Sequence, residues 1–586
     1  MPQPAIPQDV SPAREAIDPI TFAVVKNAMD AIVDEIAYTV IRTAKSEIVR
    51  DVMDYSAAIC DAKGEMVAQA KTIAQHLGAI PEAMRSVQER WAGRVAPGDA
   101  IILNDPYLGG MHLPDIFMFH PVFHEAEILA WVVVICHHTD VGGRVPGSNA
   151  ADSTEIYQEG LRLPPVKLFE AGRINEMLEA VIGINVRVPD RVLGDLNAQH
   201  AACQVGAREI QRMIRRYGAA EFQGYLAALL DYAERMAREE IRTWPAGTYR
   251  FTDHIDSDGL SDDPVVLSVA ITVAGDQLTV DWTGSSPQVR AAINSTLSYT
   301  KSNTFLSVRC ALKGDIPNNA GVFRAVTVTA PEGSVLNPLP PAAVAARALT
   351  GYRVMDTMFG ALAQIVPDVL PAAGEGGNTV VCIAGRRPDR RPFIVVDMIS
   401  GCWGGRPDQD GIDAITNPSQ NLSNAPVEVM ERTHPVRIES YALVPDSCGA
   451  GRWRGGLGLE RSYRLLADEA VLQLRADRVR FAPYGLEGGG EGGRAGNWLG
   501  EGADRRALPG KVTMTMRQGE LLTHHQAGGG GHGDPFARDP EMVAADVWNG
   551  KISATFASER HGVAVDAAAG TVDAAETARL RSARAG

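Results

Sequence analysis

The sequence predicts an α+β fold with several domains, in which a helix-plus-sheet N-terminal half precedes β-rich C-terminal modules. Before residue 247, long stretches with apolar residues at helical spacing alternate with strand-like apolar runs. After residue 248, short β-type segments separated by glycine- and proline-containing turns prevail. With 586 residues and 45% hydrophobic composition, the chain is long enough for roughly two to four domains.

The first elements follow from local signals. Residues 1–17 are polar and proline-rich, and we predict a flexible arm. Asp18 followed by Pro19 is typical of a helix start, and the apolar spacing predicts a helix to about Lys45. The segment 53–70 splits into two β-prone runs around Asp-Ala-Lys-Gly, which predicts a hairpin. Three apolar, partly β-branched runs predict strands between residues 99 and 140.

Helix-forming residues at the right period predict two further helices, at 193–217 and 220–242, which Trp244, Pro245 and Gly247 end. We therefore assign residues 18–247 to one α/β domain. The remainder divides by its pattern into three parts: an α+β middle domain at 248–435, a β-rich domain at 436–548, and a C-terminal helix and tail at 549–586. In the β-rich domain the predicted strands include 437–444, 470–481 and 511–522.

Charge and cysteine usage exclude several classes of protein. The formal net charge is −15 and no block is dense in lysine or arginine, so nucleic acid is not expected as a partner. Seven dispersed cysteines without a C-x-x-C pair indicate free thiols in a reducing compartment. The N-terminus lacks the apolar region of a signal peptide, and the longest apolar run, 128–136, is too short to span a bilayer. We expect a cytoplasmic protein without a membrane partner.

Histidines and acids cluster between residues 104 and 143. His112 and Asp115 lie three apart in a loop broken by glycine and proline, and a strand, a turn and a second strand ending at His137 follow. An antiparallel return of this kind brings the end of the second strand beside the loop before the first. Imidazole and carboxylate suit Zn, Mn or Fe, although by spacing alone a His-x-x-Asp loop is more often a hydrogen-bonded turn. For the neighbouring His120 and His124 we expect plain strand-edge or turn roles.

Other polar residues nearby are candidates for proton transfer. His138 and Asp140 are each suited to orient a ligand or to carry a proton, but Asp140 equally suits a cap for the Gly-Gly turn that follows it. Glu155 and Glu159 are spaced to face one cavity from a helix, as base or supporting acid. A solvated helical face is the alternative for at least one of them.

The glycine runs at 528–535 and 485–496 lack the Gly-Lys-Ser/Thr end that a phosphate-binding loop needs, so we interpret them as turns or close-packing devices. We find no nucleotide-binding motif and no Gly-x-Ser-x-Gly nucleophile elbow. Cys136, in an apolar strand, is expected to be a core thiol.

Several motifs resemble one known family. NDPYLGGMHLPD, HHTDVGG, IPNNAGVFRAVTVTAPEGSVLNP, NLSNAPVEVMERTHPVRIESYAL, DSCGAGRWRGGLG and GGGGHGDP occur in one order from about Asp18 to about Trp548. Together they resemble the hydantoinase B/oxoprolinase family. That family includes B subunits of ATP-dependent hydantoinases, the second half of 5-oxoprolinases, lactam-hydrolysing relatives, and subunits of acetone and acetophenone carboxylases.

The resemblance implies a divalent metal, Zn, Mn or Fe, with four ligands. His112 and Asp115 match its His-Leu-Pro-Asp motif, and His137 matches the first histidine of its His-His/x-Asp-Val-Gly-Gly motif. The fourth ligand would be Asp54, whose setting matches the family pattern, although Asp51 competes with it.

The resemblance also implies a function: the metal-binding subunit of a two-component, ATP-dependent cyclic amidohydrolase acting on a hydantoin, 5-oxoproline or lactam. A partner of the hydantoinase A type, with an actin-like ATPase fold, would phosphorylate the carbonyl, and a metal-activated water in this chain would then attack it. The partner, not this chain, would bind ATP, within a hetero-oligomer of A and B subunits. Two alternatives stay open: a subunit of an ATP-dependent ketone carboxylase, and a non-catalytic scaffold whose metal is structural.

Overall fold

The computed structural model describes residues 18–399 and 401–584, so the arm predicted at residues 1–17 lies outside the described part. The helices are α1 (Pro19–Thr43), α2 (Glu47–Arg50), α3 (Ala74–Leu77), α4 (Ile80–Trp91), α5 (Glu176–Asn185), α6 (Pro189–Tyr217), α7 (Ala219–Ile241), α8 (Leu297–Ala311), α9 (Ala320–Phe323), α10 (Arg347–Leu362), α11 (Val427–Thr433), α12 (Pro540–Trp548), α13 (Ala554–His561) and α14 (Ala574–Arg584).

The strands are β1 (Tyr55–Asp61), β2 (Met66–Gln69), β3 (Ala100–Leu103), β4 (Asp115–His124), β5 (Glu127–His137), β6 (Val166–Glu170), β7 (Arg173–Ile174), β8 (Gly247–Ile255), β9 (Val265–Ala274), β10 (Gln277–Asp281), β11 (Val326–Thr329), β12 (Thr379–Arg386), β13 (Pro392–Ile399), β14 (Val436–Leu443), β15 (Leu459–Leu465), β16 (Glu469–Arg475), β17 (Gly496–Leu499), β18 (Arg506–Ala507), β19 (Lys511–Arg517), β20 (Leu521–His525), β21 (Val565–Asp566) and β22 (Thr571–Val572). The predicted α+β class with several sheets is confirmed.

Helix α1 begins as its sequence predicts. The Asp18 carboxylate accepts hydrogen bonds from the backbone amides of Ile20 and Thr21, which the first turn would otherwise leave unpaired. The residues at helical spacing, Val25, Met29, Ile32, Ile36 and Val40, are all buried. They form a core with α6 and one face of the N-terminal sheet, so the amphipathic pattern positions α1.

The N-terminal sheet has seven strands in the order β2-β1-β5-β4-β3-β6-β7. The predicted hairpin of β1 and β2 and the antiparallel pair of β4 and β5 are both present. One face packs against α1 and α6, and the other packs against α4 and the Tyr299 side chain of α8. Because both faces are covered, β5, an interior strand of this sheet, is apolar along most of its length.

The middle unit holds a four-stranded sheet in the order β11-β10-β9-β8, and its core includes α10. Every residue of α10 is buried, although the helix carries Arg347, Arg353 and Asp356. Arg353 contacts Asp477 at 2.7 Å, and Asp356 contacts Arg478 at 2.6 Å. These buried ion pairs attach the middle unit to the C-terminal sheets, because an unpaired charge at such a depth would be costly.

Two sheets form the C-terminal unit, in the orders β13-β12-β16-β19 and β14-β15-β20-β17-β18, and they share one core. The first sheet pairs β12 with β16, so strands from both sides of residue 435 belong to one sheet and the structure does not separate the two predicted domains there. The strand predicted at 470–481 ends at Arg475. No helix in the described ranges is long and apolar enough to cross a membrane.

The glycine run Gly528–Gly531 is a close-packing device. A Cβ on Gly528 would lie 1.8 Å from the Ser447 carbonyl oxygen, and one on Gly530 would lie 2.0 Å from the Tyr484 oxygen. Neighbouring backbone segments therefore approach more closely than any side chain permits. This explains the run without a phosphate-binding role.

We expect Gly530→Ala to destabilise the protein by about 1–3 kcal/mol or more, because its methyl group overlaps rigid backbone. Urea unfolding measures the loss. Gly224→Ala is the matched control, since Gly224 lies in α7 and a Cβ there would have no other atom within 4 Å. That substitution should be neutral or stabilise by roughly 0.5–1 kcal/mol. Equal effects for the two substitutions would contradict the packing role.

Candidate metal centre

Three neighbouring strands place three of the predicted ligands in one row. β5 pairs with β1 on one side, with Tyr55 opposite Cys136, and with β4 on the other, with Asp115 opposite His137. The amide of His137 donates to the carbonyl oxygen of Asp54 at 3.1 Å. Asp54, His137 and Asp115 thus stand side by side at one end of three neighbouring interior strands, as antiparallel register requires.

The backbone conformation of the turn before Asp54 sets the position of that residue. Met53 has a φ of 62°, in the left-handed region that few residues other than glycine adopt. The Asp54 amide donates to the carbonyl of Ile48 at 3.0 Å. Asp51, the competing acid, pairs with Arg50 at 2.7 Å instead.

His112 reaches the row from the loop before β4. Its Nδ1 donates to the carbonyl oxygen of Ala345 at 2.9 Å, because a carbonyl only accepts. The proton is therefore on Nδ1, and the lone pair of Nε2 points towards Asp115, whose Oδ1 lies 3.3 Å away. A backbone carbonyl that fixes the tautomer of an imidazole in this way is a usual support for a metal-binding histidine.

The cluster is compact and buried. One potential ligand atom from each of His112, Asp115 and His137 lies within 4.8 Å of the others, and the two imidazole centroids are 5.0 Å apart. Asp54 adjoins this group, and none of the four residues is more than 4% exposed. Bulk solvent therefore has little access to these atoms.

The four side chains also share unpaired polar atoms, which bear on whether they could bind a cation. Each has a buried atom without a hydrogen-bond partner: Oδ1 of Asp54, Nε2 of His112, Oδ1 of Asp115 and Nδ1 of His137. Buried polar atoms are nearly always paired, so four adjacent exceptions need an explanation. Two nitrogen and two oxygen donors suit Zn, Mn or Fe, and the residues present therefore fit the implied divalent metal.

Burial sets the protonation states that such a site needs. It lowers the pKa of His112 to about 4 and the pKa of His137 well below its usual range. Both imidazoles are then neutral at physiological pH, which is the form that binds metals. Burial, together with repulsion from Asp115, raises the pKa of Asp54 well above its usual value. A cation between the two carboxylates would relieve that repulsion.

Two further residues complete the immediate surroundings, and the sequence patterns gave no indication of either. Arg347, the first residue of α10, donates to Oδ2 of Asp115 at 2.5 Å and leaves Oδ1 to face the cluster. The Nε2 of His76 lies 3.7 Å from Oδ1 of Asp54 and 3.9 Å from Oδ2 of Asp115. Neither residue has a local motif, because each meets the cluster through tertiary packing alone.

Of the predicted proton-transfer residues, His138 lies on the opposite face of the sheet from His137, as alternation along a strand requires. It is buried, and its Nε2 lies 3.1 Å from Oε1 of Gln199 on α6. Gln199 in turn donates to the carbonyls of Ile116 and Val134. His138 therefore contacts the helical layer rather than the cluster.

Asp140 makes the hydrogen bonds expected of a residue that caps the following Gly-Gly turn, which was the alternative to a role in proton transfer. Its oxygens accept from the amides of Gly142 at 3.2 Å and Gly147 at 3.0 Å. They also accept from the amide and the guanidinium of Arg187, at 2.7 and 2.9 Å. Asp140 thus holds the loop that follows His137.

The structure does not bring Glu155 to the cluster. Residues 156–158 form a 3-10 turn rather than an α-helix, so the spacing of Glu155 and Glu159 does not place them on one face. Glu155 is exposed and Glu159 is buried, with Oε1 accepting from the amides of Val344 and Ala345. His120 is buried beside His200 within the sheet packing, and His124 is exposed at the end of β4.

Comparison with known proteins identifies the family. The sequence profile of the hydantoinase B/oxoprolinase family matches residues 18–535. The chain belongs to this family. It is 33% identical to the B subunit of a putative D-/L-hydantoinase from a Pseudomonas species, over 94% of this chain and 95% of that protein.

Solved structures share the fold over nearly the whole chain. The crystal structure of an ATP-dependent caprolactamase from Pseudomonas jessenii matches with a TM-score of 0.90 and 31% identity, covering 97% of this chain and 100% of that one. A nucleotide-free acetone carboxylase structure matches with a TM-score of 0.89 at 19% identity, covering 97% of this chain and 83% of that one. The second likeness shows the shared fold alone.

The raised pKa of the buried Glu159 carboxyl can be tested through the pH dependence of stability. Burial raises the pKa of Glu159 from its ordinary 4.5 to about 8, so the folded protein holds a proton that the unfolded chain releases. The free energy of unfolding should therefore fall as pH rises from about 5 to 8, by up to about 1.4 kcal/mol per pH unit.

Glu159→Gln should abolish this component, and urea unfolding at pH 5.5 and 7.5 measures it. The control Glu155→Gln removes an exposed carboxyl nearby and should follow the wild-type profile. A wild-type profile that parallels Glu159→Gln would contradict a protonated Glu159.

Proposed function

We propose that this chain is the metal-binding subunit of a two-component, ATP-dependent amidohydrolase that opens a hydantoin, 5-oxoproline or lactam ring. The observation that carries the proposal is the cluster of buried, unpartnered donor atoms on His112, Asp115 and His137, with a further unpartnered oxygen on the neighbouring Asp54. The names of two relatives, the B subunit of a putative hydantoinase and the beta subunit of a caprolactamase, support the substrate class and the existence of a second subunit.

The residues of the chain prepare the centre for a divalent metal, which when bound supplies a Lewis acid that acidifies water and polarises a carbonyl. His112 and His137 are held neutral, and the Ala345 carbonyl fixes the orientation of His112. Arg347 fixes Asp115 through one oxygen. Burial excludes bulk water and strengthens each of these interactions.

The use of ATP is assigned to a partner of the hydantoinase A type. An unstrained cyclic amide resists hydrolysis, and phosphorylation of its carbonyl oxygen makes the carbon more electrophilic. The sequence of this chain has no phosphate-binding loop motif, and its longest glycine run is packed against backbone. A division of labour, with activation in the partner and ring opening here, agrees with both observations.

Ketone carboxylation is the second candidate function, because the fold is shared with acetone carboxylase at a TM-score of 0.89. In that reaction an activated enol would attack a carboxyl donor, and the same buried residues would hold the metal. A scaffold with a structural metal is the third. These functions differ in their products and in their need for bicarbonate.

We expect the chain, purified with its A-type partner, to catalyse ATP-dependent opening of at least one of hydantoin, 5-oxoproline and caprolactam without bicarbonate. Product formation and phosphate release measure the reaction. Activity on acetone or acetophenone that requires bicarbonate would instead establish the carboxylase. Elemental analysis of the same preparation identifies the metal.

His112→Ala should reduce the bound metal to well below one equivalent and abolish turnover, while the two-subunit complex still assembles. The substitution removes one of four donor atoms without touching an exposed surface. His124→Ala is the matched control, since His124 is an exposed histidine at the end of β4, and it should retain metal and activity. Full activity in His112→Ala would rule out a catalytic metal at this centre.

A further inference from the structure

Arg475 differs from the other buried arginines in the described ranges. Six of these contact a carboxylate directly: Arg347, Arg353, Arg454, Arg461, Arg478 and Arg538. Arg475 is equally buried, but its hydrogen bonds go only to neutral oxygens. A buried guanidinium without a carboxylate is costly, and a protein retains one where it has a use.

The hydrogen bonds of Arg475 place it at the candidate metal centre. It ends β16 and donates to Oδ1 of Asn149 at 2.6 Å and to Oδ1 of Asn378 at 2.9 Å. It also donates, at 3.3 Å, to the carbonyl oxygen of Ala345, the same oxygen that accepts from His112. One carbonyl group thus separates this guanidinium from a candidate ligand. The Nε of Arg475 has no partner.

A second guanidinium stands close by. Arg347 contacts Asp115 through Nη2 and lies over the Tyr299 ring, 4.6 Å from its centroid, while its Nε has no partner. Burial, and after it the positive charge of Arg347, lowers the pKa of Arg475 to about 9. The two cations therefore repel each other in the folded protein, where Asp115 neutralises only one of them.

The balance of charges at the centre indicates that a ligand bound beside the metal would be negatively charged. When both are ionised, Asp54 and Asp115 offset two positive charges, which are those of the two guanidinium groups or those of a divalent metal, but not both. With a metal bound, the centre has an excess of two positive charges among buried side chains. A dianion restores the balance, and guanidinium forks match tetrahedral oxyanions well.

We propose that Arg475, together with Arg347, binds the phosphoryl group of the activated substrate beside the metal ligands. This inference rests on the proposed function for the identity of the substrate, but not for the charge balance. Arg475 would hold the phosphoryl oxygens while Asn149 and Asn378 fix the orientation of its fork. It is the contribution of the C-terminal unit to a site whose candidate metal ligands all come from the N-terminal unit.

Inorganic phosphate is the probe. Calorimetric titration of the metal-loaded full chain should show binding, and Arg475→Gln should weaken it at least about tenfold, as expected for loss of a charge-assisted hydrogen-bond pair. Arg475→Lys, which keeps the charge and loses the fork, should give intermediate affinity. Acetate at the same ionic strength should bind much more weakly than phosphate.

The matched control is Gln473→Met, a near-isosteric change on the same face of β16 that removes a hydrogen bond to the Pro146 carbonyl. It should leave the phosphate affinity unchanged. Arg475→Gln should change the thermal midpoint of unfolding little, because removing a costly buried charge offsets the loss of its hydrogen bonds to Asn149, Asn378 and Ala345. A lower midpoint with unchanged phosphate affinity would show that Arg475 is purely structural and would overturn the proposal.

Two results on the unaltered protein would also overturn the proposal, whether or not the variants fold: no phosphate binding, or tighter binding of acetate than of phosphate. The proposed function is tested separately by metal content and ring opening. A chain that opens rings but binds no phosphate keeps the function and loses this inference. A chain that binds phosphate through Arg475 but lacks metal and turnover would support this inference and contradict the proposed function.

Discussion

The pairing of β5 with both β1 and β4 is the constraint on which the candidate centre depends. It sets Asp54, His137 and Asp115 opposite one another across three strands. A slip of one residue in either pairing would turn a ligand to the opposite face, towards α6, where His138 already points. The long apolar core on both sides of the sheet fixes this register, so the packing of the N-terminal unit determines the geometry of the site.

All three units contribute residues to the buried centre. The donor atoms come from the N-terminal unit, Ala345 and Arg347 come from the middle unit, and Arg475 comes from β16. The ion pairs between α10 and the loop after β16 hold the last two units together. Since the tautomer of His112 and the orientation of Asp115 depend on the middle unit, an isolated N-terminal sheet would carry the donors without their support.

Local sequence patterns predicted those parts of the fold and of the site that depend on neighbouring residues in the chain. Helical and strand periodicity gave α1, α6, α7 and the first hairpin, and residue spacing with an antiparallel return linked His112 and Asp115 to His137. Asp54 required the family resemblance, because its role depends on a neighbouring strand. His76, Arg347 and Arg475 carry no local signal, since they reach the centre from distant segments. The pairing of Glu155 with Glu159 failed because it assumed an α-helix where a 3-10 turn stands.

Two groups bind opposite ends of Ala345 and together set the charge beside the centre. Glu159 accepts from the amide of Ala345, and Arg475 donates to its carbonyl oxygen. Burial raises the pKa of Glu159 to about 8, so this carboxyl is mostly neutral at pH 7, whereas a guanidinium with a pKa of about 9 stays charged. Burial therefore neutralises the carboxyl on one side of Ala345 and leaves the positive charge on the other. This combination of a neutral acid and a charged guanidinium favours an anion at the centre.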